Sequence, residues 1–184
     1  MNAPVLNPPP RRYTAEDIFY LIDTGLIDRS ARFELIDGVL IPMSPKGRHH
    51  EVMRERIATW LKQPWAQAFN TLQEHTLQLA DGLMLEPDFV VYDATRLIAD
   101  ANLTGPDLRL VIEVADSSLA YDLNTKAPLY AQQGVQEYWV IDAVRRSVRI
   151  HRTAVGADWK YVQNVPAGGA VEALCAPGTL FHLT

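Results

Sequence analysis

Residues 108–142, LRLVIEVADSSLAYDLNTKAPLYAQQGVQEYWVID, contain a strand, a helix and a second strand in succession. The opening run 108–114 is the most continuous stretch of apolar and β-branched residues, which is typical of a central strand covered on both faces. Residues 119–133 have helical composition, and Gly134 provides a C-terminal stop. Residues 137–142 return to strand composition. This stretch predicts the centre of a mixed α/β fold.

Pro128 interrupts the predicted helix. A proline in a helix interior removes one backbone N–H and clashes with the preceding turn. Either the regular helix begins near Thr125, which places Pro128 in its tolerant first turn, or the helix is kinked at the proline.

The flanking sequence predicts a helix on each side of a hairpin. Residues 13–27 begin with Thr14 as a potential N-cap and have apolar residues at helical spacing. Asp37-Gly38 stands between two apolar runs and predicts a tight hairpin turn. Residues 47–63 form an amphipathic pattern that ends before Pro64. Further strands are predicted at 71–79, 89–92, 148–151, 160–163 and 179–183, which gives a sheet of about six to eight strands with two main helices.

Length and composition favour one globular unit. The chain has 184 residues, of which 48% are hydrophobic and 21% charged, and this suits a single folded domain over residues 13–184. Residues 1–12 contain four prolines, so we predict a disordered arm there.

Other global features restrict where the protein works. No run approaches the roughly 18 apolar residues of a membrane helix, and the N-terminus lacks a secretory apolar segment. The single cysteine, Cys175, cannot form an internal disulfide. These features predict a cytoplasmic protein without a membrane partner. The net charge of −5 argues against non-specific coating of nucleic acid, although it does not exclude a nuclease with an acidic metal cleft.

Two acidic residues stand where carboxylates are costly. Asp88 opens an apolar strand directly after a proline, and Glu113 lies near the end of the most hydrophobic strand. A metal ion would account for both, but a turn cap at Asp88 and an arginine partner for Glu113 are equally consistent with the sequence. Lys126 follows in the next helix, from which its ammonium could return over the two carboxylates.

Three segments together resemble a known family. They are PDFVV (87–91), FELIDGVLIPMSP (33–45) and LVIEVADSSLAYDLNTKAPLYAQQGVQEYWVID (110–142). They resemble the bacterial "putative restriction endonuclease" family of the PD-(D/E)xK nuclease superfamily. The resemblance covers about residues 14–152 and implies a restriction endonuclease-like fold, a mixed central sheet flanked by helices, with an N-terminal hairpin extension.

The resemblance also implies a catalytic centre. Asp88 and Glu113 correspond to the two acids, which together with the Val114 backbone carbonyl would bind Mg²⁺ or Mn²⁺ and activate water. The superfamily lysine normally lies two residues after the second acid, where this chain has Ala115. The family resemblance implies that Lys126 takes this role, although a decayed enzyme could show the same pattern.

The implied activity is endonucleolytic hydrolysis of DNA. A catalytically inactive nucleic-acid-binding or regulatory protein with the same fold is the alternative, and hydrolysis of a smaller phosphorylated substrate is a third hypothesis. By analogy with nucleases that cut one strand per subunit, a homodimer is expected. The sequence identifies neither a recognition site nor a partner enzyme.

Secondary candidates flank the proposed centre. Glu34 is either an outer metal ligand or a charge on a strand face. His49 and His50 open the second helix, where His50 could serve as an accessory residue, but we expect both side chains to be exposed to solvent. Lys46 and Arg48 are candidate phosphate contacts.

The remaining polar candidates have simpler interpretations. Asp116 and Asp122 flank the connection to Lys126, and we interpret both as caps or turn residues. Tyr138 and Trp139 are expected to pack in the core. A basic cluster on the late hairpin could bind phosphate, although a solvated strand face is the commoner explanation; its members are Arg145, Arg146, Arg149 and Arg152.

Overall fold

The computed structural model describes residues 11–97 and 102–184 as a mixed α+β structure. Its longer helices are α1 (Ala15–Asp23) and α2 (Arg48–Trp60), and two short helices follow later in the chain, α3 (Leu119–Tyr121) and α4 (Ala127–Gln132). The strands are β1 (Phe33–Ile36), β2 (Val39–Pro42), β3 (Phe69–Gln73), β4 (Leu77–Ala80), β5 (Leu83–Leu85), β6 (Phe89–Asp93), β7 (Leu108–Ala115), β8 (Glu137–Asp142), β9 (Ser147–Val155), β10 (Asp158–Val165), β11 (Ala170–Glu172) and β12 (Leu180–His182).

A six-stranded sheet forms the centre, in the order β10-β9-β8-β7-β6-β3. β7 and β8 are parallel, with Glu113 opposite Val140, and all other neighbours in this sheet are antiparallel. The parallel pair requires a crossover, which α3 and α4 provide. A second sheet has the order β2-β1-β5-β4, and β11 pairs with β12 alone. The strand–helix–strand prediction for residues 108–142 is confirmed.

One face of the central sheet packs against α2. Met53, Ile57 and Trp60 are buried on this helix and share a hydrophobic cluster with Ile112 and Trp139 of the sheet. The Trp60 and Trp139 rings stack at 5.6 Å between centroids. Full burial of each side chain of this kind contributes about 1.5–3 kcal/mol, so this contact fixes α2 across the sheet.

The other face packs against α4. Tyr130 and Tyr138 are fully buried there, with ring centroids 4.8 Å apart, in a cluster that includes Val111. Because side chains alternate along a strand, Ile112 faces α2 while Glu113 faces α4. The fold therefore directs a carboxylate into an otherwise apolar layer.

A π-helical turn over Asp122–Lys126 joins α3 to α4. The Ala127 N–H donates to the Asp122 carbonyl, five residues back. Pro128 lies in the first turn of α4 and has no N–H for a bond four residues back, so a regular α-helical ladder cannot continue through this segment. Pro128 thus occupies the tolerant first turn, as in the first of the two predicted alternatives, but the regular helix begins at Ala127 and a π-helical turn precedes it.

Several predicted elements are confirmed, and others need correction. The hairpin turn has Asp37 at φ 51° and Gly38 at φ 72°, as a tight turn requires. The single strand predicted at 71–79 is wrong, because Glu74 at φ 50° ends β3 and the chain enters β4 in a different sheet. β5 and β11 were not predicted. The predicted sheet of about six to eight strands corresponds to the six-stranded central sheet, and the described residues place six further strands in two smaller sheets.

The N-terminal arm lies mostly outside the described residues. Residues 1–10 belong to that part, so their disorder stays a prediction. Within the described part, Arg11 forms an ion pair with Asp17 at 3.2 Å, and Arg12 contacts Asp37. No helix within the described ranges combines the length and apolar character needed to cross a bilayer.

Candidate active site

A cleft of about 300 Å³ opens where β6 and β7 meet the first turn of α2 and the π-helical turn. β6 and β7 are antiparallel, so the start of one strand meets the end of the other. Asp88 directly precedes β6 and Glu113 lies near the end of β7, and this topology brings both acids to the same edge of the sheet. The polar residues that line the cleft include Lys46, His50, Asp88, Glu113, Asp122 and Lys126.

Lys126 is buried and surrounded by carboxylates. Its Nζ lies 2.9 Å from Glu113 Oε1, 2.8 Å from Glu34 Oε1 and 3.7 Å from Asp122 Oδ1. All four side chains are buried. Burial favours the neutral amine, but the three nearby carboxylates outweigh this effect and raise the pKa of Lys126. The ammonium is therefore permanently charged at neutral pH and cannot serve as a general base.

Glu113 is held by two donors on one oxygen. Lys126 Nζ and the Tyr130 hydroxyl, at 3.1 Å, both donate to Oε1. Oε2 accepts no hydrogen bond from any described residue. Burial raises the pKa of Glu113 well above its usual range, Lys126 opposes the shift, and Asp122 adds to it. The same burial raises the pKa of Asp122.

Asp88 has a full set of partners. Its Oδ1 accepts from Lys46 Nζ at 2.9 Å and lies 2.9 Å from His50 Nε2, while Oδ2 accepts from the Val114 N–H at 2.8 Å. Burial opposes ionisation of Asp88, yet the bond from His50, the charge of Lys46 and the Val114 N–H together lower its pKa to about 2. Asp88 is therefore ionised at neutral pH, and Val114 joins it directly to β7.

Glu34 contacts Lys126 but does not itself line the cleft. It comes from β1 and is 2% exposed, so it is not a solvated charge on a strand face. Tyr121 donates to Glu34 Oε2 at 3.1 Å, and the Glu86 N–H donates to Oε1 at 3.2 Å. Glu34 thereby connects the four-stranded sheet to the segment that contains Tyr121 and the π-helical turn.

The donor atoms of the cleft suit a hard divalent cation. Three buried carboxyl groups share the single ammonium of Lys126, and a bound cation would oppose the burial that raises the pKa of Glu113 and Asp122. Within residues 11–97 and 102–184, no three histidine, cysteine, aspartate or glutamate side chains are grouped to hold a metal by themselves. A cation bound to Asp88 and Glu113 would complete its shell with a backbone carbonyl and water, as Mg²⁺ commonly does. At Asp88 Oδ1 it would compete with Lys46.

The remaining predicted residues separate into two groups. His50 is buried and contacts Asp88, so the prediction that it is exposed is wrong, whereas His49 is exposed as expected. Lys46 lines the cleft but already pairs with Asp88 and Glu74. Arg48 is exposed and lies outside the cleft lining.

Three residues of the site were missed or misinterpreted from the sequence. Asp122 is buried beside Lys126 and is not a simple cap, although its Oδ2 also accepts from Ser118 at 2.6 Å. Its spacing of four residues from Lys126 was the available signal, because such residues share one helical face. No pattern in the sequence indicated Tyr121 or Tyr130, since aromatic residues in a helix usually pack in the core.

Comparison with known proteins gives a family match and a fold match. The family model Uma2, described as "Putative restriction endonuclease", matches residues 16–182. No curated protein matches the chain. A crystal structure of "a putative nuclease belonging to DUF820 from Anabaena variabilis" is similar with a TM-score of 0.70 and 17% identity, over 92% of this chain and 94% of that one.

A second solved structure is similar over a smaller region. It is the type IIG restriction endonuclease BpuSI, with a TM-score of 0.38 and 14% identity, over 60% of this chain and 13% of that one. At this level the likeness carries no argument about function. The similarity to the DUF820 protein from Anabaena variabilis shows the fold, a restriction endonuclease-like α+β structure.

Proposed function

Because this chain belongs to the Uma2 family of restriction endonuclease-like proteins, we propose that it is a metal-dependent endonuclease that hydrolyses phosphodiester bonds in DNA. The observation that carries the proposal is the meeting of Asp88, Glu113 and Lys126 at one cleft, although the three residues are distant in sequence. A buried pair of acids beside a buried lysine is expensive to maintain for stability alone. A catalytic use explains why it is there.

Asp88, Glu113 and the Val114 carbonyl would hold the divalent cation, Mg²⁺ or Mn²⁺. Asp88 is ionised at neutral pH, and Glu113 has one oxygen free of hydrogen bonds to described residues. When bound, the cation acts as a Lewis acid that lowers the pKa of water and offsets negative charge on the phosphate. The Val114 N–H fixes Asp88 against β7 for this purpose.

Lys126 stabilises negative charge on the scissile phosphate. Its raised pKa keeps it protonated, so it donates hydrogen bonds to a phosphate oxygen or orients the attacking water and does not accept a proton. Preorganised donors of this kind contribute about 2.7–4 kcal/mol in comparable sites. Glu34 and Asp122 hold the ammonium in place, and Tyr130 holds the Glu113 carboxylate.

The test is nicking of supercoiled plasmid with Mg²⁺ or Mn²⁺. Asp88→Asn and Glu113→Gln keep the shape of each side chain but remove its charge, and we expect each to reduce the rate by at least about 100-fold. Asp142→Asn is the matched control, because Asp142 is also a buried acid at the end of the neighbouring strand and does not line the cleft. It should retain the wild-type rate.

The outcome separates the proposal from its alternatives. Wild-type protein that does not cut DNA with either metal, while folded and monodisperse, contradicts the endonuclease function. Cutting that persists in Asp88→Asn contradicts the site. Competition by mononucleotides as strong as by oligonucleotides favours a smaller phosphorylated substrate.

An inactive nucleic-acid-binding protein is the second candidate. It is favoured by the partners of Asp88, since Lys46 and His50 already satisfy this acid without a metal. This candidate predicts that Mn²⁺ does not bind and that Asp88→Asn leaves DNA binding unchanged. Isothermal titration with Mn²⁺ distinguishes the two candidates without relying on turnover.

A further inference from the structure

A second pocket, of about 230 Å³, lies on the other side of the first turn of α2. It lies between that helix and the turn that joins β8 to β9, and its lining is rich in cationic side chains. The polar residues around it are Arg48, His49, Arg56, Arg146 and Thr184. Arg48 and Arg146 are far apart in sequence, so the pocket exists only in the folded chain.

Arg48 and Arg146 differ from the other arginines of the described chain. Neither forms an ion pair or a side-chain hydrogen bond with any described residue, whereas every other arginine has at least one such partner. Arg56, in the same pocket, donates to the His182 carbonyl and the Thr184 hydroxyl. In an acidic protein with a net charge of −5, these two guanidinium groups, which have no partners among the described residues, concentrate positive charge at one pocket.

The backbone of Arg146 provides a separate observation. Its φ of 54° lies in the left-handed region, where glycine or asparagine fits with less strain. The turn itself therefore does not explain an arginine at this position. Strained residues that persist in a structure are concentrated at functional sites.

The pocket is next to the catalytic cleft. Arg48 and His49 immediately precede His50, which lines the cleft and contacts Asp88. Lys46, the other predicted phosphate contact, is occupied by two carboxylates on the cleft side. Arg48 and Arg146, which have no partner among the described residues, therefore lie on the side of α2 next to the cleft.

We propose that Arg48 and Arg146 form a site for the phosphodiester backbone of DNA, adjacent to the bond that is cut. The inference rests on the proposed function in taking DNA as the ligand. Guanidinium groups bind phosphate through paired N–H donors, and such contacts position a duplex without reading its sequence. The site explains how an acidic protein holds a polyanion beside an acidic cleft.

The test measures DNA binding without turnover. Fluorescence anisotropy of a labelled duplex in EDTA compares wild type, Arg48→Gln/Arg146→Gln and the control Arg11→Gln/Arg29→Gln. The control removes the same charge, and both of its arginines are paired with aspartates and exposed. We expect the first double variant to bind about 10- to 100-fold more weakly at moderate salt, with the slope of log affinity against log salt reduced by about 2. The control should match wild type.

Arg146→Gly keeps the test independent of folding defects. Glycine accommodates the left-handed backbone, so this variant should melt no lower than wild type and still bind DNA more weakly. A double variant that binds like the control, or a wild type that binds no DNA, overturns the inference. Wild type that binds but never cuts, together with weakened binding in the double variant, supports the phosphate site and refutes only the endonuclease function.

Discussion

Replacing Lys126 with methionine should destabilise the protein strongly at neutral and alkaline pH. Methionine has nearly the length of lysine and keeps the apolar packing, but it leaves Glu34, Glu113 and Asp122 without their common cation. All three carboxylates are buried, and they lie 2.8, 2.9 and 3.7 Å from the ammonium they would lose. Removing one partner of a buried ion pair costs about 3–5 kcal/mol, so we expect a loss in that range at pH 8.

The loss should depend on pH in a defined direction. In the wild type the pKa of Glu113 and that of Asp122 are already raised by burial, and without Lys126 both should rise further. A carboxyl group whose pKa is higher in the folded state binds more protons there, so stability falls as pH rises through the interval between the unfolded and folded pKa values. Acidification towards pH 5 should therefore return part of the lost stability to Lys126→Met.

Urea unfolding at pH 8 and pH 5, followed by circular dichroism, measures both effects. Lys62→Met is the matched control, since Lys62 is exposed and surface substitutions usually change stability by less than about 0.5 kcal/mol. The double variant Lys126→Met/Glu113→Gln should be more stable than Lys126→Met at pH 8, because one uncompensated charge is gone. A loss below about 1 kcal/mol at pH 8, with no dependence on pH, would refute this account of the cluster.

Two further predictions concern His151 and Lys46. Burial lowers the pKa of His151 to about 4. Below about pH 6.5 the unfolded chain therefore binds a proton at this position that the folded chain does not bind. The free energy of unfolding of the wild type should fall by up to about 3 kcal/mol between pH 6.5 and pH 4. His151→Gln should remove this part of the acid sensitivity in urea titrations; an unchanged pH profile contradicts it. Lys46→Met removes a charged donor from Asp88 Oδ1. Titration calorimetry should therefore show Mn²⁺ binding that is about tenfold tighter than in the wild type. Weaker binding would show that Lys46 does not compete with the metal.

The sequence predicts the centre of the fold because local patterns and tertiary environment agree there. Leu108–Ala115 is apolar on both faces, and it became a strand covered by helices on both sides. Asp37-Gly38 specifies its turn through local backbone preference alone. The prediction of one strand at 71–79 is wrong because Glu74 adopts a left-handed backbone conformation. Glutamate rarely adopts this conformation, so nothing in the sequence indicated the break.

Only the grouping of Asp88, Glu113 and Lys126 could be predicted, because the family resemblance assigns these three residues to one site. Asp88, Glu113 and Lys126 were named from motifs, but the partners that set their ionisation come from three other elements: Glu34 from β1, His50 from α2 and Tyr130 from α4. Such contacts depend on how elements pack, and no periodicity in the sequence encodes them. Arg146 has the same limitation, because its role depends on a pocket shared with Arg48.

Ala115 stands at the position where the superfamily has its catalytic lysine, and the packing around it explains why a small residue fits there. Side chains two residues apart on a strand share a face, so a lysine at position 115 would point to the same side as Glu113. Ala115 is 1% exposed and lies in the cluster that contains Ala127 and Tyr130 of α4. A small residue here lets that segment lie against β7, and the same segment brings Lys126 to 2.9 Å from Glu113. Glu113 thus receives a cation from the segment that follows β7, and this contact supports the proposal that Lys126 takes the role of the missing lysine.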